Sequence, residues 1–310
     1  MRIIVNGMQP FGAAVLEKLV ERGEEIVGVY CPADKDGRAD KLTEAARAHG
    51  LPVFQPKSFK TAEAVEHVKS LRPDLAVMAY VLKFVPEDFL YVPKLGSIQY
   101  HPSLLPLHRG PSSINWPIIE GKTKTGLTIF WPDNGLDTGP VLLQKEVDIG
   151  PDDTLGSIYF DRLFPMGVDA MIEAVDLVRD GKAPKIVQDE SRATYESWCK
   201  KEDVGIDWAL PAQQVYNLIR GANPQPGAWT SFNGRTVEIF ECRQAAGASG
   251  KPGEIVAVDG DSFTVAAQSG GIQVQRVRCE SRQKVSGGEF ATEAGLKTGD
   301  VLLTVADVKE

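Results

Sequence analysis

Apolar runs of strand length alternate with amphipathic stretches along the first third of the chain. Arg2 to Val5 reads as a buried strand, followed by Phe11 to Arg22, where Val15, Leu16 and Leu19 recur at helical spacing before Gly23 stops the pattern. Glu25 to Tyr30 predicts a second strand, Asp40 to His49 a helix closed by Gly50, and Pro52 to Phe54 a short strand. Thr61 to Ser70 predicts a helix capped by Thr61, with Ala64, Val65 and Val68 inward, and Leu75 to Ala79 the next strand. Such alternation predicts an α/β, Rossmann-like domain with a parallel-rich sheet and crossover helices on both faces. In a sheet of this kind ligands lie beyond the carboxyl ends of the strands.

The pattern changes later. Thr154 to Arg179 is a long amphipathic segment that Pro165 should kink or break, and Gln188 to Lys201 reads as a polar connector. From Gly205 one helix, Pro211 to Arg220, precedes short apolar strands at Thr236–Phe240, Gly253–Val258, Ser262–Ala266, Ile272–Val277 and Val301–Thr304. Turn signals at this regular spacing predict a small barrel. The expected domains are therefore 1–204 and 205–310, which suits a chain of 310 residues.

Composition narrows the partners. The first apolar run is too short for a signal peptide and no later one approaches a membrane span, so no membrane partner is expected. The four cysteines are scattered, which predicts a reducing, cytoplasmic setting. A net charge of −8 without a dense basic block lowers the expectation of a nucleic-acid partner. The loop Gly7-Met8-Gln9-Pro10-Phe11-Gly12 is not GxGxxG, so no NAD(P) site is expected in this chain.

The candidate chemistry lies between Ser97 and Gly139. Gln99 and His101 alternate on one strand and so share a face, and the strand Leu127 to Trp131 leads into a loop that ends in Asp137. An imidazole, a carboxamide and a carboxylate are the parts of a polar reaction at a carbonyl. His101 and His108 lie close in sequence, but no HExxH and no nearby cysteine accompany them, so no metal is expected. Taken alone, His101 also fits a satisfied core histidine, and Asp133 and Asp137 fit turn acids beside Asn134-Gly135.

The residues His101-Pro-Ser-Leu-Leu-Pro-Leu-His-Arg-Gly110, Thr128-Ile-Phe-Trp-Pro-Asp-Asn-Gly-Leu-Asp-Thr-Gly139 and Leu142-Leu-Gln-Lys-Glu146 carry a resemblance to the folate-dependent formyltransferases. The wording is most similar to the N-terminal hydrolase domains of 10-formyltetrahydrofolate dehydrogenases, on the two-domain plan of methionyl-tRNA formyltransferases. Asp34-Lys35-Asp36-Gly37, Ile206-Asp207-Trp208, Ile219-Arg220-Gly221 and Pro226-Gly227-Ala228-Trp229 extend it over most of the chain, and it weakens after about residue 240.

The resemblance implies that the barrel is of the open oligonucleotide-binding (OB-like) type. It makes His101, Asp137 and Gln99 the catalytic set. It places the pteridine against Tyr80, Val81, Leu82, Lys83 and Phe84, and lines the folate pocket with Asp133, Asn134, Gly135 and Leu136. Gln99 stands where the transferases carry Asn, and the hydrolase domains also depart from Asn there. The implied activity is transfer of the formyl group of 10-formyltetrahydrofolate to water, with folate as substrate and no metal. The alternatives are transfer to an amine, with aminoacyl-tRNA as partner, and a folate-binding module with weakened catalysis.

Overall fold

The computed structural model of the chain describes residues 1–280 and 282–304, which fall into two compact units. The first comprises Met1–Gly110, Gly126–Val147 and Phe160–Tyr195, and the second comprises Pro111–Thr125, Asp148–Tyr159 and the chain from Glu196 onward.

The first unit begins with β1 (Arg2–Gly7), where Ile3, Ile4 and Val5 are wholly buried. A run apolar at successive positions suits a strand covered on both faces. Then come α1 (Gln9–Glu21), β2 (Glu25–Tyr30), α2 (Lys41–Ala48), β3 (Val53–Phe54), α3 (Ala62–Leu71) and β4 (Leu75–Ala79). Asp40 caps α2 by accepting from the Leu42 amide at 2.9 Å, and also accepts from the Gln9 amide, which ties down the loop after β1. Thr61 caps α3 as expected, its hydroxyl accepting from the Ala64 amide at 3.3 Å. Caps of this kind contribute about 1 kcal/mol each.

A short α4 (Glu87–Leu90) leads to β5 (Ser97–His101). After α5 (Asn115–Ile119), β6 (Lys124–Phe130) and β7 (Val141–Asp148) complete a seven-stranded sheet in the order β3-β2-β1-β4-β5-β6-β7. The first five strands pair in parallel. The sheet is parallel-rich, as expected, and mixed, because β6 runs antiparallel to β5. The segment after Thr154 is a π-helical turn, Ser157–Leu163, followed by α6 (Phe164–Arg179). Pro165 falls at the junction of the π-helical and α-helical segments, so the expected break appears as a change of helix type.

The chain leaves β1 in both directions across the sheet, to β2 on one side and β4 on the other, which makes the β1/β4 carboxyl ends the topological switch point. The two backbones close tightly there. A Cβ on Gly7 would lie 2.0 Å from the Ala79 carbonyl oxygen, so only glycine fits.

The second unit holds α7 (Ala212–Gly221) and a six-stranded sheet of β8 (Ala228–Phe232), β9 (Arg235–Ala245), β10 (Ile255–Asp259), β11 (Ser262–Ala266), β12 (Gly271–Cys279) and β13 (Val285–Ser286), with α8 (Gly287–Ala294) after it. All the pairings are antiparallel. Trp208 is fully buried in its core and donates to the Thr230 hydroxyl at 3.1 Å. One expectation fails here. Val301–Thr304 forms no strand, only single bridges from Val301 to Glu254 and from Leu303 to Ser231. The helix α8 lies outside the elements read from the sequence, and Ser286 caps it by accepting from the Glu289 amide at 3.1 Å.

Among the described residues no helix is long and apolar enough to cross a membrane.

Candidate active site

β5 carries Gln99 and His101 on one face. In register, Gln99 faces Met78 of β4 and Phe130 of β6. Gln99 is half-buried, and its side chain makes no hydrogen bond among the described residues.

His101 is buried, 6% exposed. Its Nε2 lies 2.9 Å from the His108 carbonyl oxygen. A carbonyl can only accept, so this contact assigns a proton to Nε2. The other ring nitrogen, Nδ1, faces Asp137 Oδ2 across 3.6 Å. That gap is too wide for a direct hydrogen bond and leaves both groups open to a reacting atom. His108 meets His101 through its backbone oxygen in this contact.

β6 runs back along β5, so the chain leaves it level with Gln99, and the loop must fold back for Asp137 to reach His101. Three contacts hold it there. The Gly110 amide donates to Asp137 Oδ2 at 2.8 Å. Gln188 Nε2 donates to the backbone oxygens of Asp137 and Gly139 at 2.8 and 2.7 Å. Gln188 Oε1 in turn accepts from Arg109 Nη2 at 2.8 Å. Arg109 is wholly buried, and its guanidinium also bonds Glu190, whose carboxyl it holds below the usual range, and the Tyr195 hydroxyl. The adjacent residues Arg109 and Gly110 thus fix the carboxylate loop, one through a side-chain chain of bonds and the other through its own amide.

Asp137 itself adopts φ 56°, a left-handed conformation rare outside glycine. Gln9, Tyr80 and His108 do the same in the loops after β1, β4 and β5. Non-glycine residues in this region cost on the order of 1 kcal/mol each and persist where surrounding contacts enforce them.

Sequence reasoning missed Gln188, placing it at the start of a polar connector. Its partners lie about fifty residues away, beyond any local pattern. Gln188→Ala should leave two buried carbonyls unpaired, lowering stability by about 1–3 kcal/mol. It should also slow turnover by about tenfold to a hundredfold through misplacement of Asp137. Denaturant melts and steady-state rates check both effects.

The other sequence candidates form the surroundings. Tyr80 leaves β4 beside β5, Val81 packs half-buried on the apolar cluster of Met78, Phe59 and Phe89, and Leu82, Lys83 and Phe84 are exposed. Lys83 donates to the Pro56 carbonyl, and Lys60 lies over the Phe84 ring. In the loop after β6, Asp133 Oδ1 accepts from the Gly135 amide at 3.0 Å and the Thr138 hydroxyl at 2.6 Å. Asp133 therefore shapes the loop, and Gly135 is required because a Cβ there would meet Thr138 Oγ1 at 1.8 Å. Asn134 and Leu136 are exposed. A cleft of about 590 Å³ in the second unit, lined by Asp152, Tyr216, Arg220 and Arg243 among others, contains none of these residues.

The first unit is thus a doubly wound sheet with an imidazole facing a carboxylate at the end of an interior strand. The comparisons give the family. Residues 1–175 match the formyl transferase family and residues 199–295 the formyl transferase C-terminal domain. The chain belongs to the formyl transferase family.

It is 38% identical over 305 residues to a methionyl-tRNA formyltransferase of Geobacter sulfurreducens, covering 96% of each chain. It is 45% identical over 245 residues to the mitochondrial 10-formyltetrahydrofolate dehydrogenase of Mus musculus, covering 77% of this chain and 26% of that one. It thus spans about a quarter of the length of the dehydrogenases it matches. Among solved structures, HypX from Aquifex aeolicus in complex with tetrahydrofolic acid superposes with a TM-score of 0.68 at 19% identity, over 94% of this chain and 47% of that one. The N-formyltransferase from Helicobacter canadensis, in complex with folinic acid and dTDP-3-aminofucose, does so with a TM-score of 0.68 at 17% identity, over 90% and 100%. At these identities the likeness is one of fold.

Proposed function

We propose that this chain binds 10-formyltetrahydrofolate and passes its formyl group to water, giving formate and tetrahydrofolate. The observation that carries the reading is the open pair of His101 Nδ1 and Asp137 Oδ2, 3.6 Å apart on the face that also carries Gln99. Water adds to the formyl carbon, and Asp137 takes its proton. The imidazolium form of His101 donates through Nδ1 to the oxygen on which charge develops, and the Gln99 amide adds a second hydrogen bond. When the C–N bond breaks, the folate nitrogen leaves with a proton from His101.

Chemistry lies within residues 1–204 in this reading, and 205–310, taken as an open OB-like barrel, supply none of the catalytic groups. The free cysteines support a reducing, cytoplasmic setting.

One observation favours a second acceptor: the end-to-end match with methionyl-tRNA formyltransferase, over 96% of both chains. Transfer to the amine of an aminoacyl-tRNA would use the same three residues. The net charge of −8 and the longer amide at Gln99 support water. The products decide. Formate released without an acceptor supports hydrolysis, and formylation of charged initiator tRNA at a much higher rate overturns it.

Gln99→Leu removes one oxyanion donor and should slow formyl release by about a hundredfold to a thousandfold. A change within a few-fold would limit Gln99 to filling space. Gln99→Asn withdraws the donor by about one bond length and should also slow hydrolysis, with folate affinity little changed. Rates at saturating folate read both variants.

A further inference from the structure

Asn6 is the penultimate residue of β1, beside the switch point of the first unit's sheet, and it is 3% exposed. Its Nδ2 is buried and has no hydrogen-bond partner among the described residues. A buried amide N–H without a partner is costly, and most such groups in native proteins are paired. The place of this one is informative, because the crevice at a switch point is where open α/β sheets bind ligands.

Its neighbours in register define the setting. Tyr30, Asn6, Met78, Gln99 and Phe130 form one transverse row across β2, β1, β4, β5 and β6. Tyr30 bonds His67, and Met78 lies in the apolar cluster that also holds Ile4, the residue two before Asn6. By strand alternation Asn6 is on the face of that cluster, at its rim. The row therefore presents two carboxamides, Asn6 and Gln99, separated by one strand carrying Met78. Adjacent strands lie about 4.8 Å apart, so the two Cα atoms are about 10 Å apart. A group held by Gln99 is out of reach of Asn6, but a flat molecule lying across Met78 meets both.

We propose that Asn6 is a ligand-binding residue: its Nδ2 donates to a carbonyl oxygen of the bound folate other than the formyl oxygen. This rests on the folate reading above. In the free protein the donor is left without a protein partner, and the ligand supplies one. Asn6 is thereby a determinant of folate affinity, and not of the formyl-transfer step.

Replacing a buried, unpaired amide by an apolar side chain of similar shape is neutral or stabilising. Asn6→Leu should therefore melt at the same temperature as the wild type or higher when free. The same change should weaken binding of tetrahydrofolate and of 5-formyltetrahydrofolate alike, by about tenfold to a hundredfold. Asn6→Ala guards against poor fit of leucine and should show the same loss for both folates. Isothermal titration with each folate and thermal melts of the free proteins give the readings.

Equal loss for both folates in either folded variant, with no loss of free-protein stability in Asn6→Leu, supports the assignment. Unchanged affinity overturns it while leaving the folate reading intact, and so does a loss confined to the formylated ligand. Wild-type protein that binds neither folate overturns the folate reading and this assignment together.

Discussion

Asp137→Asn should lower turnover by about a hundredfold to ten-thousandfold while folate binding stays near that of the wild type. The substitution keeps the shape of the side chain, and its Oδ1 can still accept from the Gly110 amide that now holds the carboxylate at 2.8 Å. The Gln188 clamp acts on the backbone and is untouched. What is lost is the negative charge facing His101 Nδ1 and, in the proposed mechanism, the base that takes the proton of the nucleophile. Rates at saturating 10-formyltetrahydrofolate, with affinity measured separately by titration, isolate that loss. Turnover within a few-fold of the wild type would remove Asp137 from the chemistry.

The second large effect belongs to His101. His101→Ala should cost several orders of magnitude, because it removes the imidazole that faces Asp137 and that, in the proposed mechanism, donates to the oxygen on which charge develops. The loss should not add to that of Asp137→Asn. Groups that act as one unit give grossly non-additive losses, so the double variant should fall within a few-fold of the worse single variant. Multiplicative losses would mean that the two residues serve separate steps. His101 also bonds the His108 carbonyl, so circular dichroism must confirm that the variants fold.

Much of this molecule can be read from local pattern. The alternation from Arg2 to Ala79 yields the five parallel strands in outline, because each strand is a short apolar run and each helix has one apolar stripe. Thr61 sits where a cap is needed and serves as one. Gln99 and His101 share a face as period two requires, and Asp137 meets His101.

Other features depend on contacts that no local pattern encodes. The reversal of β6 is set by its pairing with β5, and a strand's direction leaves no mark on its own residues. Gln188 resembles any polar connector residue until Arg109 and the Asp137 loop close around it. Asn6 interrupts an apolar run, which flags a polar side chain in a buried strand. Only the folded sheet shows that it lies at the switch point with an unpaired N–H. The helix α8 is hidden by two glycines at its start.

The most direct test of the central claim follows both products in one vessel. The pure protein is mixed with 10-formyltetrahydrofolate, alone and then with candidate acceptors including charged initiator tRNA, and tetrahydrofolate and formate are quantified over time. The His101–Asp137 account predicts stoichiometric tetrahydrofolate and formate from the folate alone, at a rate that collapses in Asp137→Asn. Tight folate binding without formyl loss, with or without any acceptor, would contradict it and leave the chain as a folate-binding module.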